Sequence, residues 1–396
     1  MTTHVQENLT PTKPPFWHDP RMRAILFQVI VLAGVIAFFV YIIGNTLHNL
    51  EQRGISTGFD FLFNEAGFGI IQTLIEYNET STYGHTFMVG LLNTLLVSAL
   101  GILFATMLGF TIGIARLSQN WLIAKLAAAY IEIFRNIPLL LQIFFWYFAV
   151  LRALPHPRQS WALNDLVFLN LRGLYLPAPV FGQQFWLVGI ALGVALGLSL
   201  ILKRWAKYRL DKTGQTFPVF SVALALLFGL PFLTFLAIGS PLSWDFPALK
   251  GFNFRGGIAV IPELTALLIA LSIYTAAFIA EIVRSGIQSV NYGQTEAAYA
   301  LGLRKNKTLR LVIIPQAMRV IIPPLTSQYL NLTKNSSLAT AIGYPDLVAV
   351  FAGTTLNQTG QAVEVVAMTM AVYLTISLLI SLLMNWYNRK VILVER

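Results

Sequence analysis

The sequence predicts an all-α, polytopic membrane protein with about eight transmembrane helices. Three observations predict it. Of 396 residues, 56% are hydrophobic and only 11% are charged, where a soluble globular domain carries about 25% charged residues. The apolar residues gather into eight runs, at 24–43, 87–113, 130–151, 185–202, 219–238, 262–284, 316–334 and 362–384. Each is at or near the roughly 20 residues that cross a hydrocarbon core as a helix, and a helix satisfies its own backbone hydrogen bonds in lipid. With eight spans in this register, 20 of the 27 Lys and Arg residues fall on the side of the two termini. Enrichment of Lys and Arg marks the cytoplasmic side, so both termini are expected in the cytoplasm.

The elements follow in order. Residues 1–23 hold Pro11, Pro14, Pro15 and Pro20 and read as a polar cytoplasmic tail. The run at 24–43 has no small-residue cleavage site behind it, so it reads as a retained span and not a signal peptide. Residues 44–86 form an acidic outside loop. The runs at 87–113 and 130–151 come next, the second interrupted by polar residues. Outside loops are expected at 152–184, rich in Pro, and at 239–261. Between them, the spans 185–202 and 219–238 flank a basic inside loop with Lys203, Arg204, Lys207, Arg209 and Lys212. The span 262–284 leads into a charged inside segment. The span 316–334 carries Pro323-Pro324, expected to break or kink it. The last span, 362–384, ends in a basic tail.

The composition excludes or disfavours several functions. The net charge of +10 sits at membrane-flanking positions, where it meets anionic headgroups, and does not indicate nucleic-acid binding. With no Cys there is no disulfide, thiolate metal site or Cys nucleophile. No metal-ligand spacing occurs among the five His, and no catalytic constellation stands out. There is no Gly-x-x-x-x-Gly-Lys-Ser/Thr loop to cradle a nucleotide phosphate. Segments 24–43, 185–202, 219–238 and 365–384 carry no Asp, Glu, Lys, Arg or His, which disfavours a proton-coupled transporter.

The motifs lie in the remaining segments. Glu296-Ala297-Ala298-Tyr299-Ala300-Leu301-Gly302 is followed, after nine intervening residues, by Val312-Ile313-Ile314-Pro315, with Gly293 just ahead. Alanine favours a short helix there, and Gly302 can end it. Glu296 is expected to complement the positive helix end. Small Ala297, Ala298 and Ala300 would let another surface approach, with Tyr299 and Leu301 as knobs. An ordinary amphipathic helix on the membrane surface fits the same residues. In the seventh span, Ser327, Asn331 and Asn335 recur every four residues and share a helical face, continued by Ser336 and Ser337. Asn93, Thr94 and Ser98 are further candidates in the second span. Such groups can contact a polar substrate, or can equally hydrogen-bond neighbouring helices. Glu132-Ile133-Phe134-Arg135 and Glu281-Ile282-Val283-Arg284 repeat one pattern near the inner membrane edge. Pairing at this spacing serves either as an interfacial anchor or as a gate.

These motifs resemble the permease subunits of binding-protein-dependent ABC importers. The Glu-Ala-Ala loop is the mark of that family. Gly90-Leu91-Leu92-Asn93-Thr94-Leu95, Glu132 to Leu140 with Arg135 and Pro138, Ala280 to Ile287, and Asn335-Ser336-Ser337-Leu338-Ala339 extend the likeness to its polar amino-acid, histidine/glutamine-type branch. The resemblance implies a type I ABC importer (MetI-like) permease core in two parts, 87–151 and 262–387, with a coupling loop at 291–315. The chain departs from the core by an N-terminal span and periplasmic loop (24–86), inserted periplasmic loops with two extra spans (152–261), and a cytoplasmic tail at 388–396. Such decoration resembles the larger permease subunit of general L-amino-acid or glutamate/glutamine/aspartate/asparagine importers. That implies a multi-pass inner-membrane permease and not an enzyme. Its partners would be a homologous permease in a heterodimer, two cytoplasmic ATPases that hold the ATP and Mg, and a periplasmic amino-acid-binding protein. A stand-alone secondary transporter or channel, or a membrane scaffold, are the other classes the residues allow.

Overall fold

A computed structural model describes residues 20–52 and 57–391. Most of the expected N-terminal tail (1–19) and the end of the C-terminal tail (392–396) lie outside the described residues, as does Arg53. The chain forms helices α1 (Pro20–Gln52), α2 (Tyr83–Arg116), α3 (Trp121–Asn136), α4 (Leu139–Phe144), α5 (Trp186–Thr213), α6 (Val219–Ala237) and α7 (Pro262–Gln288). These are followed by α8 (Tyr292–Ala300), α9 (Lys305–Thr308), α10 (Ile314–Asn335), α11 (Leu356–Thr359) and α12 (Ala362–Val391). Among the described residues, seven helical stretches are long and apolar enough to cross a membrane, or eight if α3 and the bent stretch 139–153 count as one. Side-chain caps set several starts: Thr82 Oγ1 accepts from the His85 N–H, and Asn120 Oδ1 accepts from the Leu122 and Ile123 N–H groups.

Two predicted spans are corrected. The third, expected at 130–151, is not one straight helix: α3 and the stretch 139–153 meet at 105°. Pro138 causes this. Proline disfavours helical backbone at the residue before it, and Ile137 is extended, with ψ 127°. The chain then passes from α4 into a π-helical turn, Phe145–Val150. In the seventh, where a break or kink is expected at Pro323-Pro324, there is no break: α10 runs through both prolines. The irregular backbone falls to either side, as a π-turn at Leu309–Ile313 and a 3₁₀ stretch at Ser336–Ile342. The π-turn ends just before Pro315, whose missing N–H forces an adjustment of the helical ladder.

α7 is the centre of the core and packs against α2, α3 and α10. Its contact with α2 is close because glycines remove side-chain bulk. A methyl group at Gly109 would stand 2.6 Å from the Ile279 side chain, and one at Gly113 would stand 2.7 Å from the Ala280 carbonyl. One buried cluster joins Val97, Ile143 and Tyr147 to Leu267 and Leu271 of α7; a second joins Ile279 to Ile321 and Leu332 of α10. By contrast, the apolar windows of α1 and α6 are not buried at all, and α5 is scarcely so. α5 and α6 pack on each other.

The chain is mostly helical, as expected, and the loops at 152–184 and 239–261 add a small β layer. Strands β1 (Trp161–Leu163), β2 (Val167–Asn170) and β3 (Gly173–Leu176) make an antiparallel meander. After β4 (Ala178–Phe181), the chain leaves through α5 and α6. It returns as β5 (Leu242–Asp245), β6 (Ala248–Lys250), β7 (Asn253–Arg255) and β8 (Ile258–Val260). β8 pairs with β3 and β5 with β4, so the two loops expected at 152–184 and 239–261 fold as one unit. The Phe254 ring packs between Phe168 and Tyr175. Residues 57–82 form a separate cover: Phe61 and Ala66 pack with Tyr83, Leu347, Phe351 and Val365.

Candidate functional site

The charged end of α7 passes into α8 through Asn291, whose Oδ1 accepts from the Gly293 N–H at 2.8 Å. α8 ends in a two-bond cap: the Leu303 N–H donates to the Ala298 carbonyl, and the Gly302 N–H to the Tyr299 carbonyl. Gly302 has φ +73°, the left-handed conformation this cap requires. Tyr292, Tyr299 and Leu301 project from this short helix with exposures of 71%, 46% and 80%. Isolated exposed apolar side chains are common, but two on this nine-residue helix and a third at its C-cap leave apolar surface that a partner would cover. Glu296 is also exposed and forms no ion pair among the described residues.

Two details of this segment are corrected. Glu296 is the fifth residue of α8, beyond the first turn, and so does not complement the positive helix end. Ala298 is buried at 3%, so its small size serves packing inside this chain, while Ala297 and Ala300 face outward. The segment is tied back to the membrane helices by Gln316 Nε2, which donates to Gln294 Oε1 at 3.3 Å. Pro315 stands next to that tie, in the first turn of α10.

Along α10 the structure brings Pro324, Ser327, Asn331 and Lys334 together as an exposed strip, with Asn335 half-buried beside them. Neither Ser327 nor Asn331 has a side-chain hydrogen bond among the described residues. A polar strip on a spanning helix needs water or protein beside it, because lipid offers no partners. Ser336 and Ser337 turn back on their own chain and donate to the Thr333 and Lys334 carbonyls.

Asn93, Thr94 and Ser98 lie apart from that strip, in the seam between α2 and the link from α10 to α12. Asn93 Nδ2 donates to the Pro345 carbonyl at 2.8 Å and to the Gln72 carbonyl at 3.0 Å. Thr94 Oγ1 accepts from the Leu347 N–H at 3.0 Å. Both side chains are fully buried, and their bonds are those of helix–link packing. Ser98 is buried with no partner for its hydroxyl among the described residues. The residue that sequence reasoning missed here is Asp346. It is buried, its Oδ1 accepts from the Ala349 N–H at 2.8 Å, and the Tyr373 hydroxyl donates to its Oδ2. A lone Asp in a short polar link carries no local signal for this role.

The two Glu-Ile-x-Arg segments behave differently. Arg284 forms a two-pronged pair with Glu281 at 3.0 and 2.5 Å and also donates to Gln288 Oε1. Glu132 and Arg135 do not pair. The Arg135 guanidinium lies over the Phe278 ring of α7, 5.1 Å from its centroid, so packing of α3 against α7 replaces the expected pair with a cation–π contact. The fields of Arg135 and Arg116 both reach the Glu281 carboxylate. The ends of α2, α3 and α7 thus meet in one charged collar near α8.

Among the described residues no cluster of His, Asp or Glu could hold a metal ion. The short helix α8, the polar strip along α10 and the collar of charge at the ends of α2, α3 and α7 are the features to set beside known proteins. The family described as binding-protein-dependent transport system inner membrane component matches residues 188–393. The "Putative amino-acid ABC transporter permease protein YhdX" of Escherichia coli is 61% identical over 378 residues, 96% of each chain. The general L-amino acid transport system permease protein AapQ of Rhizobium johnstonii is 52% identical over the whole of both chains. The glutamate/glutamine/aspartate/asparagine transport system permease protein BztB of Rhodobacter capsulatus is 44% identical over 96% of each. The chain belongs to the binding-protein-dependent inner-membrane permease family of ABC importers. It is a multi-pass inner-membrane transport subunit and not an enzyme; ATP is used by separate ATPase subunits, and a substrate-binding protein completes the system.

Proposed function

We propose that this chain forms half of the translocation pathway of an ATP-driven amino-acid importer, pairing as a heterodimer with a second, homologous permease. Both termini lie in the cytoplasm. α8 docks in a groove of one ATPase, with Tyr292, Tyr299 and Leu301 as its contacts. Closure of the ATPases on ATP moves α8 and, through the Gln294–Gln316 tie, α10. The strip of Ser327, Asn331 and Asn335 then faces the pathway as it turns outward to receive substrate from the binding protein. Glu281 and Arg284 form the inner collar against which that movement is made.

The observation that carries this reading is the exposed apolar surface of α8 on an otherwise polar segment, held in shape by its Gly302 cap. The amino-acid class is supported by the names of the relatives, which match this chain almost end to end. Reconstitution of the purified complex in liposomes tests it. Amino-acid-loaded binding protein should stimulate ATP hydrolysis, and replacing Tyr299 and Leu301 by Ser should abolish the stimulation. Equal stimulation in that double variant would refute the docking role. Absence of stimulation by any amino acid would refute the substrate class.

A further inference from the structure

We propose that the cleft between the β layer and the outer end of the core is a binding site for a free α-amino acid, held by its carboxylate and its ammonium group. The cleft has a volume of about 510 Å³, within the range of small-molecule sites. It lies at the start of α7, the opposite end of that helix from α8. Its core wall is Tyr147, Arg152 and Glu263; its insert wall is Arg172, Tyr175 and Asn253.

The charges are arranged for a zwitterion. The Tyr147 hydroxyl donates to Glu263 Oε1 at 2.7 Å. The Arg152 guanidinium lies over the same ring, 5.3 Å from its centroid. One tyrosine therefore stands between an anion and a cation, and no ion pair joins the two among the described residues. A guanidinium offers paired donors to a carboxylate, and a carboxylate accepts from an ammonium. An apolar guest would cover both charges without giving either a partner. Tyr147 also belongs to the π-helical turn at 145–150, one of three in the described residues and a form frequent at functional sites.

The opposite wall is joined by hydrogen bonds of its own. The Tyr175 hydroxyl donates to Asn253 Oδ1 at 3.1 Å, and Arg172 donates to the Phe252 carbonyl at 3.1 Å. These residues come from both outside loops, so the site exists only because the insertion folds back on the core. The inserted segment thereby acquires a role at the mouth of the pathway, distinct from the polar strip of α10.

This inference rests on the amino-acid reading of the substrate, and the test separates the two. The whole complex, in lipid nanodiscs and without its binding protein, is titrated with three probes. They are L-glutamine, the same molecule lacking its α-ammonium, and the same molecule amidated at its α-carboxylate. Saturable L-glutamine binding is expected, weakened about tenfold or more by loss of either group. Glu263→Gln should remove the discrimination against the first analogue, and Arg152→Gln that against the second. The wild-type analogue series alone decides if either variant fails to fold. Absence of saturable binding, or indifference to both groups, overturns the proposal. So does binding that survives both variants but disappears in Asn331→Leu, which would place the ligand in the membrane pathway. So does free amino-acid binding left intact while Glu263→Gln abolishes docking of the binding protein. If loaded binding protein stimulates ATP hydrolysis while the complex alone binds none of the probes, this proposal falls and the importer reading stands.

Discussion

Substitution of Gly302 isolates the contribution of backbone shape to coupling. A methyl group at this position would meet nothing within 4 Å, yet the residue has φ +73°. A substitution there costs conformational energy without steric conflict. For an ordinary L-residue that cost is about 1–2 kcal/mol; asparagine tolerates the left-handed region and should cost least, while a β-branched residue should cost most. α8 has little reserve against such a loss. It has nine residues and one buried side chain, Ala298, and isolated helices shorter than about 12–15 residues are marginal in water. A loss of 1–2 kcal/mol lowers the ratio of capped to frayed helix by about 5–30-fold. The assay is ATP hydrolysis by the reconstituted complex, stimulated by loaded binding protein. Gly302→Asn should stay near wild type, Gly302→Ala should fall about fivefold, and Gly302→Val further. Membrane insertion should be unchanged in all three. Wild-type stimulation in the valine variant would refute the argument, as would an asparagine variant as inactive as the valine one.

Three further outcomes follow from the packing. Gly113→Val should push α2 from α7, because its Cβ would stand 2.8 Å from the Val283 Cβ; overpacking of this kind costs about 1–3 kcal/mol, readable as a lower thermal unfolding midpoint in detergent, and an unchanged midpoint would contradict the close approach. Thr94→Val should lower the same midpoint, since the buried Leu347 N–H loses its acceptor, at about 1–3 kcal/mol, whereas Asn331→Leu should leave the midpoint in place and reduce uptake. Glu281→Arg should impair uptake, and the exchange Glu281→Arg with Arg284→Glu should restore part of it. Both side chains are about one-third exposed, so the stability change should stay below about 1 kcal/mol, and failure of the exchange to recover any uptake would argue against pairing.

The membrane helices are legible in the sequence because each is a long run of apolar residues, and a helix is what satisfies the backbone of 185–202 or 219–238 in lipid. The shape of α8 is legible because its alanines favour a short helix and Gly302 has a conformational task that few other residues perform; the coupling role proposed for it comes from the family motif of Glu296, Gly302 and Pro315. The bend at Ile137 is written in Pro138, yet the segments on both sides are apolar and read as one run. The β layer escapes because its strands are three or four residues long, too short to show a two-residue period. Asn93 and Thr94 escape for another reason: their partners, Pro345 and Leu347, lie some 250 residues away. Nothing local distinguishes a polar residue that lines a pathway from one that fastens a link. Arg135 likewise matches its counterpart Arg284 in sequence, and only the neighbouring Phe278 diverts it.

Leu176 and Ile258 face each other as the last pair of β3 and β8. The long detour through both extra spans therefore leaves and rejoins the rest of the molecule at points one strand apart, about 4.8 Å. Cutting the detour out and closing the gap with a two-residue reverse turn would require no displacement of α7, because the ends already form the base of a hairpin. The detour is in this sense an appendage on a stem, an arrangement that lets a lineage gain or discard a pair of peripheral helices without redesigning the transporter beneath.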